Sequence, residues 1–148
     1  MTTDSAHRSV QLERVQTGRY TAINARGGQI SVSSGSDADT DFTPVELLLV
    51  AMGGCTAADV DFLTSRRAEP DRFEVVVDAE KARDERGNHL TDLVITFRVS
   101  FPGGEAGDRA RAVLPDAVQK SHDRLCTVSR TVELGTPIAM RVELGWER

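Results

Sequence analysis

Phe42-Thr-Pro-Val-Glu-Leu-Leu-Leu-Val-Ala-Met-Gly-Gly-Cys55-Thr56 is the stretch on which the fold turns. Thr43 is a helix-capping residue and Pro44 suits the first helical position, so a helix begins there. Its apolar side chains continue through Ala58, Val60, Phe62 and Leu63 to about Arg67. The first half is apolar nearly all round, which predicts a centrally buried helix rather than a surface one. Gly53 and Gly54 stand mid-helix at about 1 kcal/mol each relative to alanine, which points to close approach by another backbone.

Upstream of this helix, Val10 and Leu12 share one strand face, while Val15 falls off the alternation. Residues 19–24 and 29–33 continue the pattern with Gly18 and Gly27-Gly28 as turns, so an N-terminal antiparallel meander is expected. Residues 34–43 read as a polar loop. Downstream, Phe73, Val75, Val77 and Ala79 share a face of one strand, and Leu93, Ile95, Phe97 and Val99 a face of the next. The stretch from Asp84 to His89 is their hairpin turn by composition. Phe101 to Gly107 is a second loop, with neither GxGxxG nor Walker spacing to cradle a phosphate. Ala110, Val113, Leu114, Ala117 and Val118 recur at helical spacing, giving a second helix over about 108–125; Pro115 inside it calls for a kink or a delayed start. Residues 127–133 are ambiguous, and Ile138, Met140, Val142 and Leu144 alternate as a closing strand. The order of elements predicts a single α+β domain over 1–148, with residues ~1–8 flexible.

Composition narrows the function. The net charge of −5 argues against nucleic acid, whose phosphates need a basic face. The N-terminus has no signal-peptide core, and no run reaches the ~18 apolar residues of a membrane helix, so a soluble cytoplasmic chain with no membrane partner is expected. In a reducing compartment its two cysteines, Cys55 and Cys126, read as free thiols or a transient redox pair rather than a structural bridge. Neither has a Cys or His two or three residues away, which argues against zinc; no cofactor motif is present. Taken alone, both cysteines also fit the ordinary role of small buried hydrophobes.

The segment from Phe42 to Thr56 resembles the first-cysteine helix of the OsmC/Ohr family, named for the osmotically inducible protein C and the organic hydroperoxide resistance protein. Cys126-Thr-Val-Ser129 resembles that family's second-cysteine motif, and Ala25-Arg26-Gly-Gly-Gln-Ile30 is similar to its N-terminal strand turn. The resemblance covers residues ~15 to 144. It implies an OsmC-like fold, antiparallel sheets enclosing two central helices in an intertwined homodimer. It also implies a peroxidase for small-molecule hydroperoxides. A cysteine thiolate attacks the peroxide and becomes a sulfenic acid, the second cysteine condenses with it, and an external dithiol reductant restores the pair. Such chemistry requires a reachable thiol of low pKa beside a resolving thiol. By motif position Cys55 attacks and Cys126 resolves. Arg26 is the cation that favours the thiolate, against the plainer reading of a surface turn arginine; Arg19 is its nearest competitor.

The carboxylate departs from the pattern. In the characterised peroxidases a glutamate follows the proline directly; here Val45 does, with Glu46 one place later. The spacing from Pro44 to Cys55 agrees with the family, so alignment is not the cause. On a regular helix position 45 lies about 80° from Cys55 around the axis, and Glu46 about 180° away. Glu46 is therefore a weak catalytic carboxylate, and a helix N-terminal charge or an interface ion pair is its plainer role. Asp59, one turn after Cys55, raises the thiol pKa unless a cation offsets it, and otherwise reads as a solvated or ion-paired carboxylate. His122 precedes Cys126 by one turn, a proton carrier or a solvated helix-end histidine. Trp146 reads as packing. With Val45, the absence of a proline after Cys126 places the chain nearer the less characterised branch. Two functions stay open: a Cys55/Cys126 peroxidase acting in oxidative stress defence, and a non-peroxidatic small-molecule-binding or thiol-sensing protein.

Overall fold

Strand alternation and helix caps organise the chain much as its pattern requires. The computed structural model describes residues 6–36 and 39–145; the expectation for Trp146, and most of that for residues ~1–8, lies outside the described residues. The order is β1 (Val10–Gln16), β2 (Arg19–Asn24), β3 (Gln29–Ser33), α1 (Pro44–Ser65), β4 (Arg72–Asp84), β5 (Gly87–Ser100), α2 (Glu105–Lys120), a π-helical segment (Ser121–Leu125) and α3 (Thr127–Leu134). This is an α+β fold with two antiparallel sheets, and the chain divides into two units, Met1–Val50 and Ala51–Arg148.

In the first unit the expected meander forms, with sheet order β1-β2-β3. The register shifts between Arg14 and Gln16, so the bulge falls where Val15 leaves the alternation. An extra residue on one strand turns the following side chains to the other face, which is how a bulge reads in sequence. Helix α1 opens with a reciprocal cap: Glu46 N–H donates to Thr43 Oγ1 at 3.2 Å, and Thr43 N–H donates to Glu46 Oε1 at 2.9 Å. Two otherwise unpaired donors at the helix start are thereby satisfied.

In the second unit β4 and β5 pair as foreseen, Phe73 opposite Val99, Val75 opposite Phe97 and Val77 opposite Ile95. Their turn is tighter than composition implies, because pairing continues to Asp84 opposite Gly87 and leaves only Glu85 and Arg86 between. Gly53 approaches this sheet: a Cβ there would lie 2.7 Å from Val77 Cγ2. The close neighbour is thus a side chain, not the backbone expected. A Cβ on Gly54 would meet nothing within 4 Å among the described residues.

The expectation of a centrally buried α1 is corrected. Met52, Gly53, Thr56, Val60 and Thr64 are buried, a single stripe at helical spacing, while Val45, Leu48, Val50 and Phe62 are exposed. One chain offers one face for the helix to pack against, so the remaining apolar side chains stay open. By length and composition alone this helix is also apolar enough to cross a membrane, contrary to the sequence reading. Asp59 and Asp61 lie within it.

Helix α2 begins earlier than expected, at Glu105 within the presumed loop, and runs unbroken through Pro115. Gly107 is obligatory there, because a Cβ would fall on the Pro102 carbonyl oxygen. The ambiguous stretch 127–133 is helical, and Gly135 closes α3 in the left-handed conformation at φ 60° and ψ 43°. The closing strand is not formed. Residues 136–144 adopt no regular structure, and Ile138, Met140, Val142 and Leu144 are 84–92% exposed. A strand needs a neighbour to bond with, and none pairs with these residues among the described residues.

Candidate functional site

Two cysteines remote in sequence meet in the second unit. Cys55 lies mid-way along α1 and is half-buried; Cys126 is 2% exposed. Cys126 follows the π-helical segment, and its N–H donates to the Ser121 carbonyl at 2.9 Å. That longer-range bond ends one helical run and lets Cys126 turn out to φ −75°, ψ 100° as the N-cap of α3. Both thiols are free and near enough for each to influence the other's acidity.

Their surroundings differ in sign. At Cys126, Ser129 N–H donates to Sγ at 3.4 Å, and the Ser129 hydroxyl lies 3.3 Å from the same sulfur. Burial opposes ionisation of Cys126, but the Ser129 hydroxyl and N–H, with Cys55 and the Val128 N–H, outweigh it and lower its pKa. Donors aimed at a sulfur stabilise the thiolate most, and a helix N-terminus supplies them ready-made. At Cys55 burial raises the pKa, with the Val128 N–H opposing and Cys126 and the Asp59 charge adding to the rise. Burial thus works against a thiolate at Cys55, while Ser129 favours one at Cys126.

Asp59 is fixed beside Cys55 by a buried polar chain. The Ser121 hydroxyl donates to Asp59 Oδ2 at 2.8 Å, and Thr56 Oγ1 lies 2.7 Å from Ser121 Oγ. The plain reading of Asp59 as a solvated carboxylate gives way to one of a carboxylate held in place. Thr56 and Ser121 are buried at 4% and 0% exposure, and each finds its partner in the other, as buried hydroxyls must.

A cavity of about 390 Å³ adjoins the pair. Met52, Leu93, Ile95, Phe97 and Val132 make its walls apolar, and Thr56 and Ser129 bring it to the hydroxyls beside the two cysteines. His122 and Glu133 stand at its polar end, His122 Nε2 lying 2.8 Å from Glu133 Oε1 and Nδ1 3.0 Å from Asp123 Oδ1. The contact with Asp123, then that with Glu133, raises the His122 pKa. The imidazole is therefore ion-paired rather than freely solvated, and it ties the π-helical segment to α3.

The remaining candidates lie in the first unit. Arg26 is exposed in the turn between β2 and β3, where its N–H donates to Asn24 Oδ1 at 2.9 Å. No carboxylate pairs with Arg26 among the described residues. Arg19, its competitor, is committed elsewhere: its guanidinium contacts Asp39 at 2.6 Å and Asp41 at 2.7 Å. Hydrogen bonds from Thr43 hold the Glu46 carboxyl below its ordinary value, and they account for this residue as a helix cap. Sequence reasoning missed Ser129, Ser121 and Thr56. A capping residue followed by a polar residue three places on is a readable signal, and Cys126-Thr-Val-Ser129 carries it; Thr56 and Ser121 gave none.

Two antiparallel sheets with helices and a gathered thiol pair define a class of small α+β proteins that also includes solved structures. Residues 35–141 match the family model described as OsmC-like protein. The chain belongs to that family. An uncharacterised protein of Mycobacterium tuberculosis strain H37Rv is 30% identical over 131 residues, covering 88% of this chain and 93% of the relative. An OsmC-like protein of unknown function from Vibrio cholerae superposes with a TM-score of 0.71 at 13% identity, covering 87% of this chain and 95% of that one. The organic hydroperoxide resistance protein OhrB of Bacillus subtilis superposes with a TM-score of 0.53 at 15% identity, covering 85% and 90%. At such identities these structures share the fold.

Proposed function

We propose that this protein is a thiol-dependent peroxidase that reduces organic hydroperoxides or hydrogen peroxide through a Cys55/Cys126 redox pair, in defence against oxidative stress. The observation that carries the reading is the gathering of two free thiols, from α1 and from the N-cap of α3, beside an apolar cavity. One thiolate attacks the peroxide oxygen, the O–O bond breaks, and an alcohol leaves. The resulting sulfenic acid condenses with the second thiol, forming the S–S bond and releasing water. An external dithiol in a reducing cytoplasm returns the pair to two thiols. The name of the Bacillus relative agrees with such a substrate. Arg26 is the cation that orients the peroxide, and a homodimer is the working form; the apolar side chains left open on α1 and in residues 136–144 support a second copy. Glu46 contributes through the helix cap rather than through the reaction.

A second reading, a non-peroxidatic binding or thiol-sensing protein, draws on the raised pKa of Cys55 and on Val45 in place of the family carboxylate. Hydroperoxide consumption with a dithiol reductant separates the two. The wild type turns over, while Cys55→Ser and Cys126→Ser each lose catalytic turnover by at least about a hundredfold, the order expected when a covalent-catalysis group is removed. Equal rates in all three proteins remove the peroxidase reading.

A further inference from the structure

We propose that the cavity of the second unit binds a small apolar molecule ended by a hydrogen-bond donor, a primary ammonium before a hydroxyl, and rejects the matching carboxylate. Glu133 and Gln119 hold the head, and Met52, Leu93, Ile95 and Phe97 hold the chain. The inference goes beyond the peroxidase reading and does not depend on turnover.

It starts from which polar atoms of the lining are left for a ligand. At one end the His122 imidazole is fully engaged, Nδ1 with Asp123 at 3.0 Å and Nε2 with Glu133 at 2.8 Å. Gln119 gives one N–H to Asp123 Oδ1 at 2.8 Å. What remains is the other carboxylate oxygen of Glu133, the carbonyl oxygen of Gln119 and one neutral N–H. This end accepts far better than it donates.

The hydroxyl end agrees by a different route. Asp59 accepts from the Ser121 hydroxyl at 2.8 Å, so Ser121 has no hydrogen left for Thr56, 2.7 Å away. Thr56 must therefore donate to Ser121, and its oxygen offers the cavity lone pairs alone. The Ser129 hydroxyl stands against Cys126 Sγ at 3.3 Å. No lysine or arginine is among the described lining residues, and Arg124, which acts on Asp123, is not one of them.

A carboxylate entering here would lose water and find no uncommitted cation to replace it. An ammonium meets the Glu133 carboxylate in a charge-assisted bond, and a hydroxyl donates to the same oxygens more weakly. Glu133 is 58% exposed, so the ammonium keeps part of its water while its chain lies inside. Leu93, Ile95 and Phe97 are alternate residues of β5, so they give that chain one continuous apolar face. The cavity volume of about 390 Å³ is that of a small-molecule site.

The test is calorimetric titration of the full-length protein with n-octylamine, n-octanol and octanoate at neutral pH and fixed salt. Octylamine should bind tightest and octanoate at least about tenfold more weakly than octylamine. Glu133→Gln should cut the preference for amine over alcohol by about tenfold and leave alcohol binding unchanged. Because the chain carries a net charge of −5, Glu105→Gln is the control. It removes the same charge at a side chain 95% exposed and outside the cavity, and should leave the preference intact. Val132→Phe, which fills the cavity from α3, should weaken all three ligands together, with circular dichroism confirming the fold of each variant. Octanoate binding as tightly as octylamine, equal effects of Glu105→Gln and Glu133→Gln, or no binding of any ligand overturns the inference; the last result would mean that a second copy covers the cavity. Hydroperoxide consumption measured alongside separates the two readings. Its absence with the amine preference intact defeats only the peroxidase, and turnover without the preference defeats only this inference.

Discussion

Two stretches of this chain carry the same alternating signature and meet different fates. In β4 and β5, Phe73, Val75 and Val77 lie opposite Val99, Phe97 and Ile95, and the Phe73 and Phe97 rings meet edge-on with centroids 6.1 Å apart. In residues 136–144, Ile138, Met140, Val142 and Leu144 alternate as regularly, yet they are 84–92% exposed and unpaired. Alternation states which face is apolar, not where the neighbouring strand comes from. A hairpin brings its own neighbour through a two-residue turn, and Gly53 of α1 lets the helix settle on Val77. The later stretch has no such neighbour among the described residues. An exposed row of large apolar side chains is a surface awaiting cover.

The largest expected effect follows from that contrast. If residues 136–144 find their neighbour in a second copy, removing residues 136–148 converts a dimer into a monomer, read by light scattering after size exclusion at a fixed protein concentration. The β4–β5 hairpin and α2 keep their strand and helix signals in the truncated chain, because their partners lie upstream. A truncated protein that remains dimeric breaks the comparison, since the exposed row would then serve no assembly.

How far the chain can be read from its residues follows the same line. The meander, the α1 start and the β4–β5 faces were legible because each is settled by neighbours close in sequence; the register was not, since the turn is shorter than Asp84 to His89. Even the irregularity at Val15 was visible, as an alternation that fails where the strand bulges. The thiol pair was legible through resemblance to a family, not through spacing. Three further things were not legible. Residues 127–133 are rich in Thr and Val, which favour strands, and only the Cys126 cap and Gly135 beyond decide for a helix. The burial of α1 depends on how many faces find a partner, which periodicity does not report. The acidity of Cys126 depends on Ser129, which the capping spacing could have announced, but the burial that raises Cys55 and the Asp59–Ser121 bond across elements follow no local pattern.

A smaller effect sharpens the contrast between covered and open faces on α1 itself. Gly53 and Gly54 are adjacent and chemically equal, but a Cβ on Gly53 would meet Val77 Cγ2 at 2.7 Å, and one on Gly54 would meet nothing within 4 Å among the described residues. Alanine at either site gains about 1 kcal/mol of helix preference. At Gly53 this is offset by overpacking against a stiff valine, which costs about 1–3 kcal/mol, so Gly53→Ala should lower stability by about 1 kcal/mol on balance. Gly54→Ala should raise it by up to about 1 kcal/mol. Urea midpoints at unchanged slope measure both. Loss of stability at both sites would mean that something covers Gly54, which a second copy would supply.

The smallest expected effect concerns a contact that the chain makes with itself at its surface. His122 binds Asp123 and Glu133, and its folded pKa stands above the unfolded value near 6.5. A raised folded pKa means that the folded state holds the proton more tightly. The stabilisation is therefore complete below about pH 6.5 and is lost as pH rises through the folded pKa. The lowered pKa of Asp123, owed first to His122, is the other side of the same pair and adds no second contribution. The imidazole is 54% exposed, so water and salt screen the pair, leaving a few tenths of a kcal/mol. His122→Gln should lower the urea midpoint at acidic pH, match wild type at alkaline pH, and lose its acid-side deficit in high salt. A deficit that stays constant across pH would assign His122 a packing role, and the link from the π-helical segment to α3 would then not depend on charge.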